Sequence, residues 1–312
     1  MNPSRRVDLS VQVGALRLQN PILVASGTFG YGLEFAHLVD LDRLGGIITK
    51  GLSLEPMEGA PAPRLCETPS GMLNAVGLQN IGVAAFLQDK LPLLRKYNTH
   101  LIVNVFGYCQ EEYAKVIERL EQTDGISAYE LNISCPNVQR GGMQFGSDPA
   151  LVSEVVETAR KAARRRPLWV KLMPLVTDIG LIAKAAESAG ADALTVSNTF
   201  PAMAVDCRTR RSRLGKATGG LSGPAIKPIT LRLVWETSKA VRIPVIALGG
   251  VESVDDVLEY VSVGATAVQV GTASFADPKA SERIIEGLPR GLSDVNVLSF
   301  NELRGGFSAE NS

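Results

Sequence analysis

Histidine and closely spaced cysteine are what this chain has least of. Its 312 residues include two histidines and four cysteines, at 66, 109, 135 and 207, with no CxxC spacing. That argues against a zinc centre and against a disulfide framework. Such cysteine usage fits a reduced, cytoplasmic protein. No apolar run approaches the roughly 20 residues of a membrane-spanning helix. The arginines at 5 and 6 are followed by no apolar segment of the signal-peptide kind. Neither sign of charge is in excess, since Lys+Arg and Asp+Glu both number 32. Broad electrostatic attraction to nucleic acid or anionic membrane is therefore not expected. Two local basic groups remain, Arg208-Thr-Arg-Arg-Ser-Arg213 and Arg164-Arg-Arg166. The second precedes Pro167 and reads as the cationic end of a helix. No GxGxxG follows a first apolar strand, so a Rossmann nicotinamide site is not indicated, and no HxxxH or carboxylate cluster calls for a metal.

What is present is a repeated apolar pattern in a chain that is 45% hydrophobic. Eight short runs end in small or polar residues: 22–25, 46–49, 101–105, 129–133, 168–172, 193–196, 244–248 and 267–270. They are β-branched and do not alternate cleanly, as parallel strands covered on both faces should not. Helical periodicity lies between them, most clearly over 111–122, 151–163 and 179–189. Asp148-Pro149 opens the second of these as an N-cap followed by an N1 proline. Eight strand–helix units predict a closed (β/α)8 TIM barrel in a single domain over 1–312, with a doubly wound open sheet as the alternative. Residues 7–13 and 16–19 flank Gly14-Ala15 and predict an N-terminal β-hairpin that plugs the bottom of the barrel. Long excursions, Leu52 to about Gly82 and Phe200 to about Gly223, follow predicted strands and should stand over the C-terminal face. The stretch 296–312 is polar enough to fray.

In a barrel the strand ends share one face, where active sites are built. The ends here supply Ser26, Lys50, Asn104, Asn132 with Cys135, Lys171, Ser197-Asn198-Thr199, Gly249-Gly250 and Gly271-Thr272. Pro136 cannot donate to a ladder, so Cys135 sits on the loop just after its strand. A lone cysteine is usually a buried structural residue, but the amides around this one favour a functional role. Glycine turns after strands seven and eight let backbone N–H groups approach a phosphate. Either pair alone would serve equally well as a tight turn. Gly219-Gly-Leu-Ser-Gly223 adds a third glycine cluster. Two lysines at polar strand ends must meet an anion or polar ligand, or else snorkel to solvent. Phosphate-binding turns with amide-rich polar groups fit flavin mononucleotide (FMN).

The residues that carry a family resemblance are Asn74-Ala-Val-Gly-Leu-Gln-Asn80, Asn132-Ile-Ser-Cys-Pro-Asn-Val138, Val176-Thr-Asp178, Asn198-Thr199, Gly219 to Pro228 and Gly249-Gly250. Across nearly its whole length the chain resembles the class 1 dihydroorotate dehydrogenases. Gly141-Gly142 and Phe145-Gly146 after the cysteine loop resemble subclass 1B. The resemblance implies a catalytic subunit with one FMN that oxidises (S)-dihydroorotate to orotate in pyrimidine biosynthesis. It also implies an electron-transfer partner carrying FAD and a [2Fe–2S] cluster that passes electrons to NAD⁺, two of each chain around a homodimer core. Cys135 is implied as the base at C5, with hydride passing from C6 to the flavin N5. Lys50, Asn74, Ala75, Val76, Gly77, Leu78, Asn132, Asn198 and Thr199 are implied to bind substrate. Ser26, Lys50, Gly51, Asn104, Asn132, Lys171, Ser197, Gly223, Gly249, Gly250, Gly271 and Thr272 are implied to hold FMN, with Lys171 near N1–C2.

The chain departs from the family pattern at Gly51 (usually threonine), Met173 (serine), Leu175 (asparagine), Ser197 (aliphatic), Pro201-Ala202 (Leu-Gly) and Leu248 (methionine). Three other readings stand beside the main one: an FMN-dependent dehydrogenase of dihydrouracil type, a class 1A-like enzyme using fumarate, and a phosphate-binding barrel without chemistry.

Overall fold

The computed structural model describes residues 7–134, 136–137 and 143–308. Eight parallel strands close into a barrel. They are β1 Ile22–Val24, β2 Gly46–Ile48, β3 His100–Val105, β4 Ala128–Asn132, β5 Leu168–Lys171, β6 Ala193–Val196, β7 Val245–Leu248 and β8 Ala267–Val270. Each pairs with its chain neighbour, and β8 pairs with β1, so the ring has no free edge. The open-sheet alternative is thereby excluded. Every expected strand is present with ends shifted by at most one residue.

Helices alternate with the strands because the sequence starts and caps them locally. Gln110–Glu121 buries Tyr113, Val116, Ile117 and Leu120, a stripe at helical spacing. Pro149–Ala162 starts at Asp148, whose carboxylate accepts from the Ala150 and Leu151 amides, and Ile179–Ser188 starts at Asp178 in the same manner. No helix among the described residues is long and apolar enough to cross a membrane.

The N-terminal hairpin pairs Val11–Val13 with Leu16–Leu18. Val11, Val13 and Leu18 are buried in the main core. The Arg17 carbonyl lies 3.0 Å from Nε2 of His100, the first residue of β3, so the hairpin covers the amino end of the barrel as expected. The two long excursions are not structureless. Leu65–Thr68, Gly71–Asn74, Gly219–Ser222 and Phe200–Ala202 form a four-stranded antiparallel sheet that joins one excursion to the other. Residues 296–308 do not fray over their described length. Phe300 is buried, Phe307 packs edge-on against Trp235, and the Gly305 and Phe307 amides donate to Val261 and Ser262 carbonyls.

The arginine run before β5 divides its work. Arg164 Nε donates to the Lys161 carbonyl of its own helix, as a C-terminal cation should. Arg166 turns instead to the end of the preceding helix. Its guanidinium donates to the Ile126 carbonyl at 2.8 Å, to Tyr129 Oη at 3.0 Å and to the Thr123 carbonyl, and it pairs with Glu121 at 3.2 Å. Both charged side chains are nearly buried. Removing one partner strands the other charge in a poorly solvated place. Arg166→Met should therefore lower unfolding free energy by about 3 kcal/mol in urea titration. Adding Glu121→Leu should recover part of that loss.

Candidate active site

Closure of the ring brings all eight carboxyl ends to one rim, and a cavity of about 490 Å³ opens there beneath the antiparallel sheet. That volume lies in the range of small-molecule and cofactor sites. Every expected site residue in the described part of the chain lines it. Ser26, Lys50, Gly51 and Asn104 enter from β1 to β3; Asn132 and Lys171 come from β4 and β5. Ser197, Asn198 and Thr199 follow β6, while Gly249, Gly250, Gly271 and Thr272 follow β7 and β8. Asn74, Ala75, Val76, Gly77, Leu78 and Gly223 descend from the excursions. Cys135 lies outside the described residues, as do Val138, Gly141 and Gly142. Its neighbour Ser134 lines the cavity, and among the described residues the buried Ser134 hydroxyl finds no partner.

The cavity has two chemically different sides, set by strand order. β7 and β8 lie four strands away from β3 and β4, so their loops face each other across the ring. The β7–β8 side is glycine and hydroxyl. Gly223 and Gly250 both adopt positive φ, 91° and 67°, which favours glycine. A Cβ on Gly250 would stand 2.8 Å from the Gly223 carbonyl oxygen, so neither backbone leaves room for a side chain. Thr272 Oγ1 bonds Ser222 Oγ at 2.7 Å, tying β8 to the covering sheet. Tyr260 Oη donates to the Gly249 carbonyl at 2.6 Å and fixes that turn from behind.

The β3–β6 side is amide and amine. Asn198 Nδ2 donates to Asn132 Oδ1 at 3.2 Å, and the same Oδ1 accepts from the Ser134 amide. Asn198 Oδ1 accepts from the Thr199 amide. Lys171 Nζ reaches across the cavity floor to Ser26 Oγ at 3.5 Å. Its side chain is buried, and that burial lowers its pKa below the ordinary lysine value, against the pull of Glu130. Lys50 is half-buried. Burial, helped by Arg64, also lowers its pKa, while Glu34 opposes the shift. Among the described residues no side-chain hydrogen bond or ion pair engages the Lys50 amine. A cation held at a cavity wall without a counter-ion is prepared for an anionic ligand.

Sequence reasoning missed what holds these groups in place. The loop over 74–80 is pinned by its last residue rather than by its glycine. Asn80 Oδ1 accepts from the Gly82 amide at 2.8 Å and from Ser53, while its Nδ2 donates to the Leu78 carbonyl and Ser53 Oγ. Asn80 is buried, whereas Asn74 donates to the Gly220 carbonyl at 3.1 Å at the cavity wall. Glu130, Thr195 and Gln269 were passed over because they sit inside runs read as apolar. All three are fully buried inside the barrel and bonded to one another beneath Asn104 and Lys171.

The departures from the family pattern gather here as well. Gly51, Met173, Leu175, Ser197, Pro201 and Leu248 all line the cavity. A Cβ at Gly51 would stand 2.8 Å from Asn104 Oδ1, so glycine lets that amide lie close to the backbone.

A lysine- and amide-lined cavity at the carboxyl rim of a parallel barrel defines a cofactor-binding α/β-barrel enzyme. The model of a family described as dihydroorotate dehydrogenase matches residues 8–292, and the chain belongs to this flavin-dependent family. It is 53% identical over 297 residues to a Trichlorobacter lovleyi protein, covering 95% of this chain and 97% of that one. Identity to a Thermodesulfovibrio yellowstonii protein is 50% over 299 residues, covering 96% and 98%. Both relatives are named dihydroorotate dehydrogenase B (NAD(+)), catalytic subunit, in agreement with the class 1B form expected from the sequence. A crystal structure of DHODH from Eimeria tenella in complex with ferulenol shares the fold, with TM-score 0.81 and 21% identity over 97% of this chain and 89% of that one.

Asn80→Ala would leave the Ser53 and Gly82 amides without their shared acceptor, at a cost of about 1–3 kcal/mol. The expected result is faster hydrogen exchange at residues 53 and 74–82 with the barrel strands unchanged. Unchanged exchange there would show that the loop is held by other contacts.

Proposed function

We propose that this chain binds FMN in the rim cavity and oxidises (S)-dihydroorotate to orotate as the catalytic subunit of a B-type dihydroorotate dehydrogenase. The observation that carries this reading is the union of two lysines and a set of asparagine amides in one cavity, opposite a glycine-lined wall. The residues fit FMN. Gly223, Gly249, Gly250, Gly271 and Thr272 would bring backbone N–H groups and a hydroxyl to the phosphate, since the glycines leave their own backbone uncovered. Ser26, Gly51, Asn104, Asn132, Lys171 and Ser197 would face the polar edge of the ring, and Lys50 would touch both ring and substrate. When bound, FMN would supply a two-electron acceptor for the hydride leaving C6, with an NAD⁺-linked partner as the onward acceptor.

The chain's own groups do the rest. Lys50 would bind the substrate carboxylate with its amine, which has no side-chain partner among the described residues. Asn132, Asn198 and Thr199, with Asn74, Ala75, Val76, Gly77 and Leu78 above them, would hydrogen-bond the pyrimidine ring and hold C5 toward the cysteine loop. Asn132 and Asn198 are already bonded to each other, which limits how far either amide must reorganise. Cys135 Sγ, as thiolate, would take the C5 proton while the C5–C6 double bond forms, and would later return that proton to solvent. The partner would be an electron-transfer subunit with FAD and a [2Fe–2S] cluster, two copies joined to a homodimer of this chain in the cytoplasm.

Cys135→Ala, reconstituted with FMN, should keep its yellow flavin but be reduced by dihydroorotate at least about 10²-fold more slowly at neutral pH in stopped flow. Reduction at the unaltered rate would remove the cysteine from the proposed role.

Lys50→Ala should weaken orotate binding by about tenfold or more while changing FMN binding less. In the unaltered enzyme, the lowered pKa of Lys50 means its charge is lost below the pH at which an ordinary lysine deprotonates. Orotate affinity should fall as pH rises through that range, and Lys50→Ala should abolish the fall. An orotate affinity equal to that of the unaltered enzyme would reject the carboxylate contact.

A further inference from the structure

Glu130 is a fully buried carboxylate that the proposed reaction does not use. Its neighbours hold both of its oxygens. Asn104 Nδ2 donates to Oε1 at 2.8 Å; Thr195 Oγ1 and Gln269 Nε2 donate to Oε2 at 2.7 and 2.8 Å. The Gln269 amide also donates to Thr195 Oγ1, which directs the threonine hydrogen toward the carboxylate. Two amide nitrogens and a hydroxyl therefore meet the two carboxylate oxygens. These donors come from β3, β6 and β8, so the carboxylate lies at the barrel axis.

A charge at that depth is costly unless an opposite charge lies near. Lys171 is that charge. It sits on the strand next to Glu130, in register with Asn132 and Thr195, one inward-facing position nearer the rim. Among the described residues, Glu130 is the charged group that opposes the loss of the Lys171 proton. The two charges differ in what they can reach. Glu130 is enclosed by its donors, whereas Lys171 lines the cavity and extends to Ser26 on the opposite strand end.

We propose that Glu130 is a positioning residue for the reaction: its buried carboxylate keeps the Lys171 amine protonated and aimed into the cavity, so that the flavin ring meets a fixed positive charge. This inference rests on the reading that the cavity holds FMN. Reduction places negative charge on the ring, and a nearby ammonium favours the reduced form. Without Glu130, burial alone would act on Lys171 and weaken its hold on the proton further. The sign of the effect separates this role from a direct one. Removing a negative charge that acted on the flavin by itself would make reduction easier. Removing one that acts through Lys171 should make it harder.

The test is the two-electron midpoint potential of FMN bound to the purified full chain, with FMN affinity and circular dichroism measured alongside. In Glu130→Gln the reduced flavin should lose at least tenfold in affinity relative to the oxidised flavin, a fall of about 30 mV. Lys171→Met should show a fall at least as large. In the Lys171→Met background, Glu130→Gln should produce no further fall. Glu130→Asp keeps the charge and should stay close to the unaltered potential; it also serves if Glu130→Gln does not fold, because a tenfold loss in the aspartate variant would contradict the proposal. An unchanged or raised potential in Glu130→Gln would overturn it, as would an equal fall with Lys171 already removed. Failure of the unaltered chain to bind FMN would instead reject the reading on which the inference rests.

Discussion

Parallel strands can satisfy both edges of a sheet only by closing it, and closure brings eight carboxyl ends to one rim. The rest of the molecule follows from that geometry. The hairpin over 11–18 covers the opposite end, where apolar side chains would otherwise meet water. The helices sheathe the outside. The excursions after β2 and β6 rise from the same rim and pair with each other over the cavity. Groups far apart in the chain meet because their strands end together. Lys171 touches Ser26 across 145 residues, and Asn198 touches Asn132 across 66.

A second constraint is the polar content of the barrel interior. Most small barrels fill this space with branched apolar side chains. Here Glu130, Asn104, Thr195 and Gln269 form one bonded group at the axis, with Trp169 buried in register beside Glu130. Such a group is tolerated because Glu130 accepts from Asn104, Thr195 and Gln269, although Gln269 Oε1 is left without a partner among the described residues. Lys171 stands on the neighbouring strand one inward-facing position nearer the rim and extends along the cavity floor to Ser26. The interior and the cavity are therefore one electrostatic unit, and a change at either level should be felt at the other.

Much of this was legible in the sequence, for physical reasons that differ by element. The eight strands were readable because each is a short β-branched run closed by a polar or glycine residue. The cavity residues were readable because a barrel maps strand ends onto one face, so position along the chain became position in space. The covering sheet was not readable. Its strands are three or four residues long, rich in glycine, and paired between segments about 146 residues apart, as Asn74 and Gly220 are. Arg166 was expected to cap its own helix, but a proline follows it and its guanidinium reaches the neighbouring helix end. Glu130 and Gln269 were hidden because one polar residue in an apolar run carries no sign of its partners. Their bonds exist only once β3, β4, β6 and β8 face one another. Asn80 was visible as part of a motif, though its anchoring role required the fold. Cys135, to which the proposed reaction assigns the C5 proton, lies outside the described residues, so its role rests on the sequence.

The central claim is that this cavity couples a flavin to dihydroorotate, and one anaerobic spectrum tests it most directly. The purified chain, loaded with FMN, would be recorded before and after addition of dihydroorotate, with dihydrouracil as the control. The account predicts that the flavin absorption bleaches with dihydroorotate and persists with dihydrouracil. A flavin that stays oxidised with dihydroorotate, or a chain that retains no FMN, would contradict it.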